Sequence, residues 1–220
     1  MLIVFLLATH IAVLGYWLGS ELVINSTYRY VSYHGEMRFA DRKKLMDHVM
    51  DVDQHVRYAL VLQAGLGSIL GLLLGYFPGG ERLAVVAAVV AVIWLVFVEV
   101  IHRSQKLPRG ARLATIDRAI RYVLLLVLVG IWLGMISNQL ELQPWLGWKL
   151  LCFAGVIASG IGIRLQLLHF FELWPVIERE GSTPEREARI QQIYVRATSV
   201  LVVLWIFIAA IVYLSIWKPA

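Results

Sequence analysis

His10 is the residue on which intramembrane chemistry in this chain would turn. It sits inside the apolar run Met1 to Ile24, and of the six histidines it alone would lie well within a bilayer if that run crosses one. An ionisable side chain at such depth is costly and normally has a partner or a function. At about 1.5 Å per residue it would lie on the order of 12 Å below the outer end of its span, too deep to reach the headgroups. An imidazole there could be an axial ligand to haem iron or a proton relay; its plainer role is a hydrogen bond to a neighbouring helix that fixes packing. His10, Leu14, Trp17 and Glu21 follow one another at intervals of four, three and four, so they form a stripe on one helix face. The other helices are expected to pack around that stripe.

A second polar group falls at the opposite, inner boundary. His55 begins the second apolar run, Glu99 and His102 end the third, His169 ends the fifth, and Glu21 with Asn25 ends the first. His48, Asp51 and His55 are three and four apart and share a face, while Glu99 and His102 form a Glu-x-x-His pair. Imidazole and carboxylate together suit zinc, iron or copper, so His48, His55 and His102 are candidate metal ligands. Two of His55, His102 and His169 could instead hold a haem between helices, and the bland reading is solvated interface histidines. Lys149 opens the fifth run, where it either reaches the headgroups or turns inward toward His10. Met135 is a further candidate ligand or a packing residue. The glycines of these runs, Gly15, Gly19, Gly65, Gly67 and Gly71 among them, allow close helix approach and would also admit a flat macrocycle.

These residues need membrane helices to position them, and the composition supplies such helices. Hydrophobic residues make up 60% of the 220 and charged residues 16%, with a mean hydropathy of +0.73, far from the soluble range. Six runs are long enough for a hydrocarbon core of roughly 30 Å: Leu2 to Ile24, Val56 to Phe77, Leu83 to His102, Ala119 to Ile136, Gly147 to Phe170 and Val195 to Trp217. The expected fold is an all-α, six-transmembrane-helix bundle forming a single domain. The first run lacks the basic start and cleavage site of a secretory signal and is expected to be retained. The lone Cys152 excludes an intramolecular disulfide.

Seventeen lysines and arginines, Arg29, Arg42, Arg57, Lys106 and Arg109 among them, fall on one side of these spans; Arg82, Lys149 and Lys218 fall on the other. That asymmetry predicts both termini on the outer, periplasmic side and three long cytoplasmic loops in a bacterial-type inner membrane. Pro78-Gly79-Gly80 predicts a tight outer turn, and Pro144 ends the loop begun at Ser137. Asp41 to Gln54 reads as a cytoplasmic helix leading into the second span. Pro184 to Arg196 reads as a helical extension of the sixth, capped by Ser182-Thr183-Pro184.

The run His10-Ile11 to Trp17-Leu18-Gly19, followed by Arg29-Tyr30-Val31-Ser32-Tyr33-His34, resembles the first span and loop of the HemJ-type protoporphyrinogen oxidase family. Pro144-Trp145-Leu146-Gly147-Trp148-Lys149-Leu150 resembles the entry to a later span of that family, and the ending Ile211 to Pro219 is also similar. The CopD-like copper-resistance proteins share the layout. Arg82 to Arg121 and Glu178 to Arg189 have no counterpart. The resemblance implies a haem b held by His10 with Trp17 among the cofactor-binding residues, and Lys149 and Arg29 as catalytic residues that position carboxylates or move protons. His34 is a weaker candidate.

Other catalytic templates are missing: no phosphate-binding glycine loop, no Gly-x-Ser-x-Gly, no Cys-x-x-Cys and no His-Glu-x-x-His occurs. The basic stretches lack interleaved aromatics in a soluble context, which argues against nucleic acid. The expectation is a haem-bearing membrane oxidoreductase acting on porphyrinogen, or an electron-transfer protein passing electrons to quinone. The competing classes are a copper permease and a structural membrane partner subunit or homo-oligomer.

Overall fold

A computed structural model of the protein describes residues 1–104, 107 and 110–218. Lys106 and Arg109, counted among the basic loop residues, and Pro219 of the final motif lie outside the described residues. There are six α-helices: α1 (Leu2–Tyr33), α2 (Phe39–Leu73), α3 (Gly80–Ser104), α4 (Gly110–Ile136), α5 (Pro144–Glu180) and α6 (Pro184–Trp217). Each is long and apolar enough to cross a membrane, and among the described residues there is no strand. The chain is therefore a multi-pass membrane protein in contact with a lipid bilayer.

The helices overrun the apolar segments. The helix expected over Asp41 to Gln54 is present and runs unbroken into the second span as the first part of α2, and α4 starts nine residues before Ala119. At about 1.5 Å per residue the 37 residues of α5 span roughly 55 Å, well beyond a hydrocarbon core of about 30 Å. Helix continues past the apolar run because nothing in the charged flanks stops it. α5 even runs through Pro175, which lacks the N–H that would bond back one turn.

Where helices do stop, the chemistry is local. α2 ends at Leu73, short of the expected Phe77: Tyr76 N–H donates to Gly71 O (2.9 Å) and Gly75 N–H to Leu72 O (3.3 Å), with Gly75 at φ 76°. α4 ends in the same way, with Gln139 N–H on Gly134 O (2.9 Å), Asn138 N–H on Met135 O (3.1 Å) and Asn138 at φ 56°. Both are Schellman ends with a left-handed residue after the last turn. Phe77 and Leu140 then fold over Gly71 and Gly134, each closer than an added Cβ would allow. The expected cap of α6 is present: the Thr183 hydroxyl accepts from Arg186 N–H (3.4 Å) with Pro184 in the first turn.

The chain divides into two compact units, Met1–Ser26 with Asp47–Ala119, and Thr27–Met46 with Ile120–Ala220. In the first, α1 and α2 run antiparallel. Gln63 Nε2 donates to His10 O (2.8 Å), and farther along Tyr16 pairs with His55. α2 and α3 are antiparallel too: Gln54 Nε2 donates to Val98 O (3.3 Å), and Gly65 lets Ala91 approach so closely that an added Cβ would sit 2.6 Å from it.

In the second unit α5 and α6 form an antiparallel hairpin about Gly181–Thr183, with Gly155 against the Phe207 ring and Gly162 against Val200. Leu128 of α4 packs with Ala154 and Ile157 of α5. Outside the apolar runs, the Arg42 guanidinium, 1% exposed, grips Glu187 through two hydrogen bonds of 2.7 and 3.0 Å and lies 5.5 Å from the centre of the Trp174 ring. Tyr28 stands edge-on to Phe170 and to Tyr194 beside it. Within the charged stretch Glu178 to Arg189, most of which is exposed, Glu187 in the first turn of α6 is thus half-buried against Arg42.

Candidate functional site

The inward stripe of α1 exists as expected. Trp17 and Glu21 are buried, Glu21 to 6% exposure, and the Trp17 indole N–H donates to Glu21 Oε1 (3.3 Å). His10 and Leu14 are half-buried on the same side. The imidazole of His10 lies against the bare backbone of Gly67: a Cβ built there would be 3.6 Å from His10 Cε1. With Gln63 holding the His10 carbonyl, α2 clasps α1 at this level.

Closer to the inner end, the first unit holds a layer of polar side chains. Tyr16 Oη and His55 Nδ1 share a hydrogen bond of 2.5 Å, and His55 stands edge-on to both Tyr16 and Tyr58. The Tyr58 hydroxyl donates to Glu99, whose other oxygen takes Arg103 Nε (2.5 Å). Arg57, buried, donates to Gln54 Oε1 (3.3 Å) and to Asp117 Oδ2 (2.6 Å). Asp53 is near enough for its charge to act on Glu21. Four helices thus contribute phenols, an imidazole, two guanidinium groups and carboxylates to one layer.

The antiparallel register fixes where this layer sits. Tyr16, level with His55, lies eight residues before Ile24, so His55 is about 12 Å inside the end of the first apolar run rather than at its edge. Polar groups at that depth are paired, as an environment with little water requires. Six residues separate Tyr16 from His10, or roughly 9 Å along α1, so His55 and His10 are not placed to hold opposite faces of one iron.

The remaining candidates are dispersed. His48 and His55 are exposed and His102 is half-buried one turn beyond Glu99. Among the described residues no three His, Cys, Asp or Glu side chains are arranged to hold a metal ion, so His48, His55 and His102 are not brought into one such cluster. His34 and His169 each bond through Nδ1 to a carbonyl one turn back in their own helices (both 2.8 Å). In the second unit, Arg29 is exposed and Lys149 is half-buried close enough to Lys218 for their charges to interact; the Lys218 ammonium lies 5.5 Å from the Trp145 ring centre. Met135 is a packing residue: its Sδ occupies the space over Gly147, 2.0 Å from where a Cβ would stand.

Tyr16, Gln54, Arg57, Tyr58, Gln63 and Asp117 are the site residues that sequence reasoning passed over, while Gly67 was named only as one of the glycines that allow close approach. Arg57 counts, by its charge, only among the basic residues of the inner side, and Asp117 carries no expectation. The signal that could have found them is that each lies within two residues of an apolar run, where an ionisable group needs a named partner.

His10 offers one nitrogen donor of the type that haem iron takes, an imidazole at a helix contact with its Cε1 packed against Gly67 and its Nδ1 buried. The polar layer is suited to exchanging protons and to hydrogen-bonding a polar headgroup. The chain matches no protein-family model, no curated protein and no solved structure.

Proposed function

We propose that this protein is a haem-b-bearing redox protein of a bacterial-type inner membrane, with both termini outside and the basic loops in the cytoplasm. The observation that carries the reading is the half-buried His10 imidazole, held at the α1–α2 contact against Gly67 and backed by the Gln63 clasp. His10 would hold the iron, which supplies one-electron chemistry when bound. Trp17, one helical face along, joins the stripe to the buried Glu21. The polar layer around Tyr16, His55 and Glu99 supplies the proton exchange that membrane redox reactions need. On the resemblance to the HemJ-type family the substrate is a porphyrinogen, with Lys149 and Arg29 attracting its carboxylates.

The test is the absorption spectrum of the detergent-purified protein. A Soret band lost in His10→Ala and kept in His169→Ala supports the reading. A colourless protein carrying stoichiometric copper favours a permease and overturns it.

A further inference from the structure

One carboxyl group of the first unit is buried inside an apolar run with no cation beside it. Glu21 is 6% exposed, three residues before that run ends at Ile24. Its Oε1 accepts the Trp17 indole N–H (3.3 Å), and among the described residues Oε2 takes no hydrogen bond. The titratable and charged groups of the layer around it are Asp53, His55 and Arg57 of α2, Glu99 and Arg103 of α3 and Asp117 of α4. Both guanidinium groups are committed elsewhere, Arg57 to Asp117 (2.6 Å) and Arg103 to Glu99 (2.5 Å), and His55 is bonded to Tyr16 (2.5 Å). Among the described residues the charge that acts on Glu21 is that of Asp53, another acid. An ionised carboxylate buried so far without a cation is much costlier than the neutral acid in the same place, and a second acid close by adds repulsion.

We infer that Glu21 is a proton-binding site, a neutral carboxylic acid with its proton on Oε2 that exchanges with water at the inner end of the unit through Asp53. The indole fixes which oxygen is which: Oε1 is already an acceptor, so the O–H is that of Oε2. Asp53 is only half-buried, and the small part of Glu21 left uncovered is the opening through which the proton passes. On transfer the Oε2–H bond breaks as an O–H bond forms on Asp53, and the reverse step restores both; no electron moves. Glu21 ends the stripe that starts at His10, eleven residues or roughly 16 Å away along α1. The site is therefore a proton relay on the inner side of that stripe, and it stands without a haem.

The experiment is infrared spectroscopy of the full-length protein in phosphatidylcholine nanodiscs at about pH 7, where exposed carboxyl groups are ionised. The parent is expected to show the C=O band of a neutral carboxylic acid. The band should vanish in Glu21→Gln, persist in Glu141→Gln, and move in Trp17→Phe, which frees Oε1. When D2O buffer replaces H2O the band should shift while the amides of α1 are still protonated. That exchange should slow by about a hundredfold in Asp53→Asn, the lower range of what a positioned proton acceptor contributes. A parent without the band, or a band that survives Glu21→Gln or stays in place in Trp17→Phe, overturns the site. A band that shifts only together with the α1 amides, or as fast in Asp53→Asn as in the parent, overturns the relay. An exchanging band in a colourless protein supports the relay and counts against the haem, whereas a Soret band in a protein lacking the carboxylic acid band does the opposite.

Discussion

The Arg42–Glu187 pair makes an asymmetric prediction. Arg42 is 1% exposed on its side chain and Glu187 16%, and the two are joined by bonds of 2.7 and 3.0 Å. Removing the carboxylate charge by Glu187→Gln strands a guanidinium that has no route to water and whose Nε already lacks a partner. Breaking a buried pair in this way costs about 3–5 kcal/mol. Removing the guanidinium by Arg42→Met leaves a carboxylate that still reaches solvent and still accepts from Ser182, so the loss should be nearer about 1–2 kcal/mol. Replacing both, as Arg42→Met with Glu187→Leu, should restore stability to within about 1–2 kcal/mol of the parent, because the desolvation cost disappears with the charges. For a chain of this size about 1 kcal/mol corresponds to roughly 2–4 °C in Tm. Thermal unfolding of the detergent-solubilised protein should therefore show Glu187→Gln lower by roughly 6–20 °C and Arg42→Met by roughly 2–8 °C. Equal losses in the two single variants, or a double variant that loses their sum, would refute the reasoning.

Other expectations follow from the same geometry. Gly67→Ala adds a methyl at ordinary contact distance, 3.6 Å from His10 Cε1, and should retain any Soret band, whereas Gly67→Leu displaces the imidazole and should abolish it. Trp17→Phe removes the N–H that Glu21 accepts and should lower stability by about 1–3 kcal/mol; Trp17→Phe melting at the parent temperature would contradict the pairing. At the end of α4, Asn138 holds φ 56°. Asn138→Gly should leave Tm unchanged or raised, and Asn138→Val should cost about 1–2 kcal/mol, since a branched side chain is strained in the left-handed region.

Six helices were legible in the chain before any coordinate, because a bilayer demands about 20 apolar residues per crossing and charges cannot enter such a run cheaply. The turn chemistry was legible for a similar reason: Thr183-Pro184 starts a helix through one hydroxyl and one fixed φ, both local to the chain. The stripe from His10 to Glu21 followed from the helical repeat alone. What hydropathy does not carry is which apolar face meets lipid and which meets protein, since the two environments are nearly equal for leucine and valine. The level of each helix against its neighbours was therefore decided by tertiary contacts: Gly65 on Ala91, Gly67 on His10, Gly155 on Phe207. That register moved His55 from the expected boundary to the level of Tyr16 and joined Arg57 to Asp117. It also turned Arg42 from a presumed topology charge into a buried partner of Glu187, 145 residues away. Local composition fixes how long a helix can be, and only side chains meeting across helices fix what stands beside what.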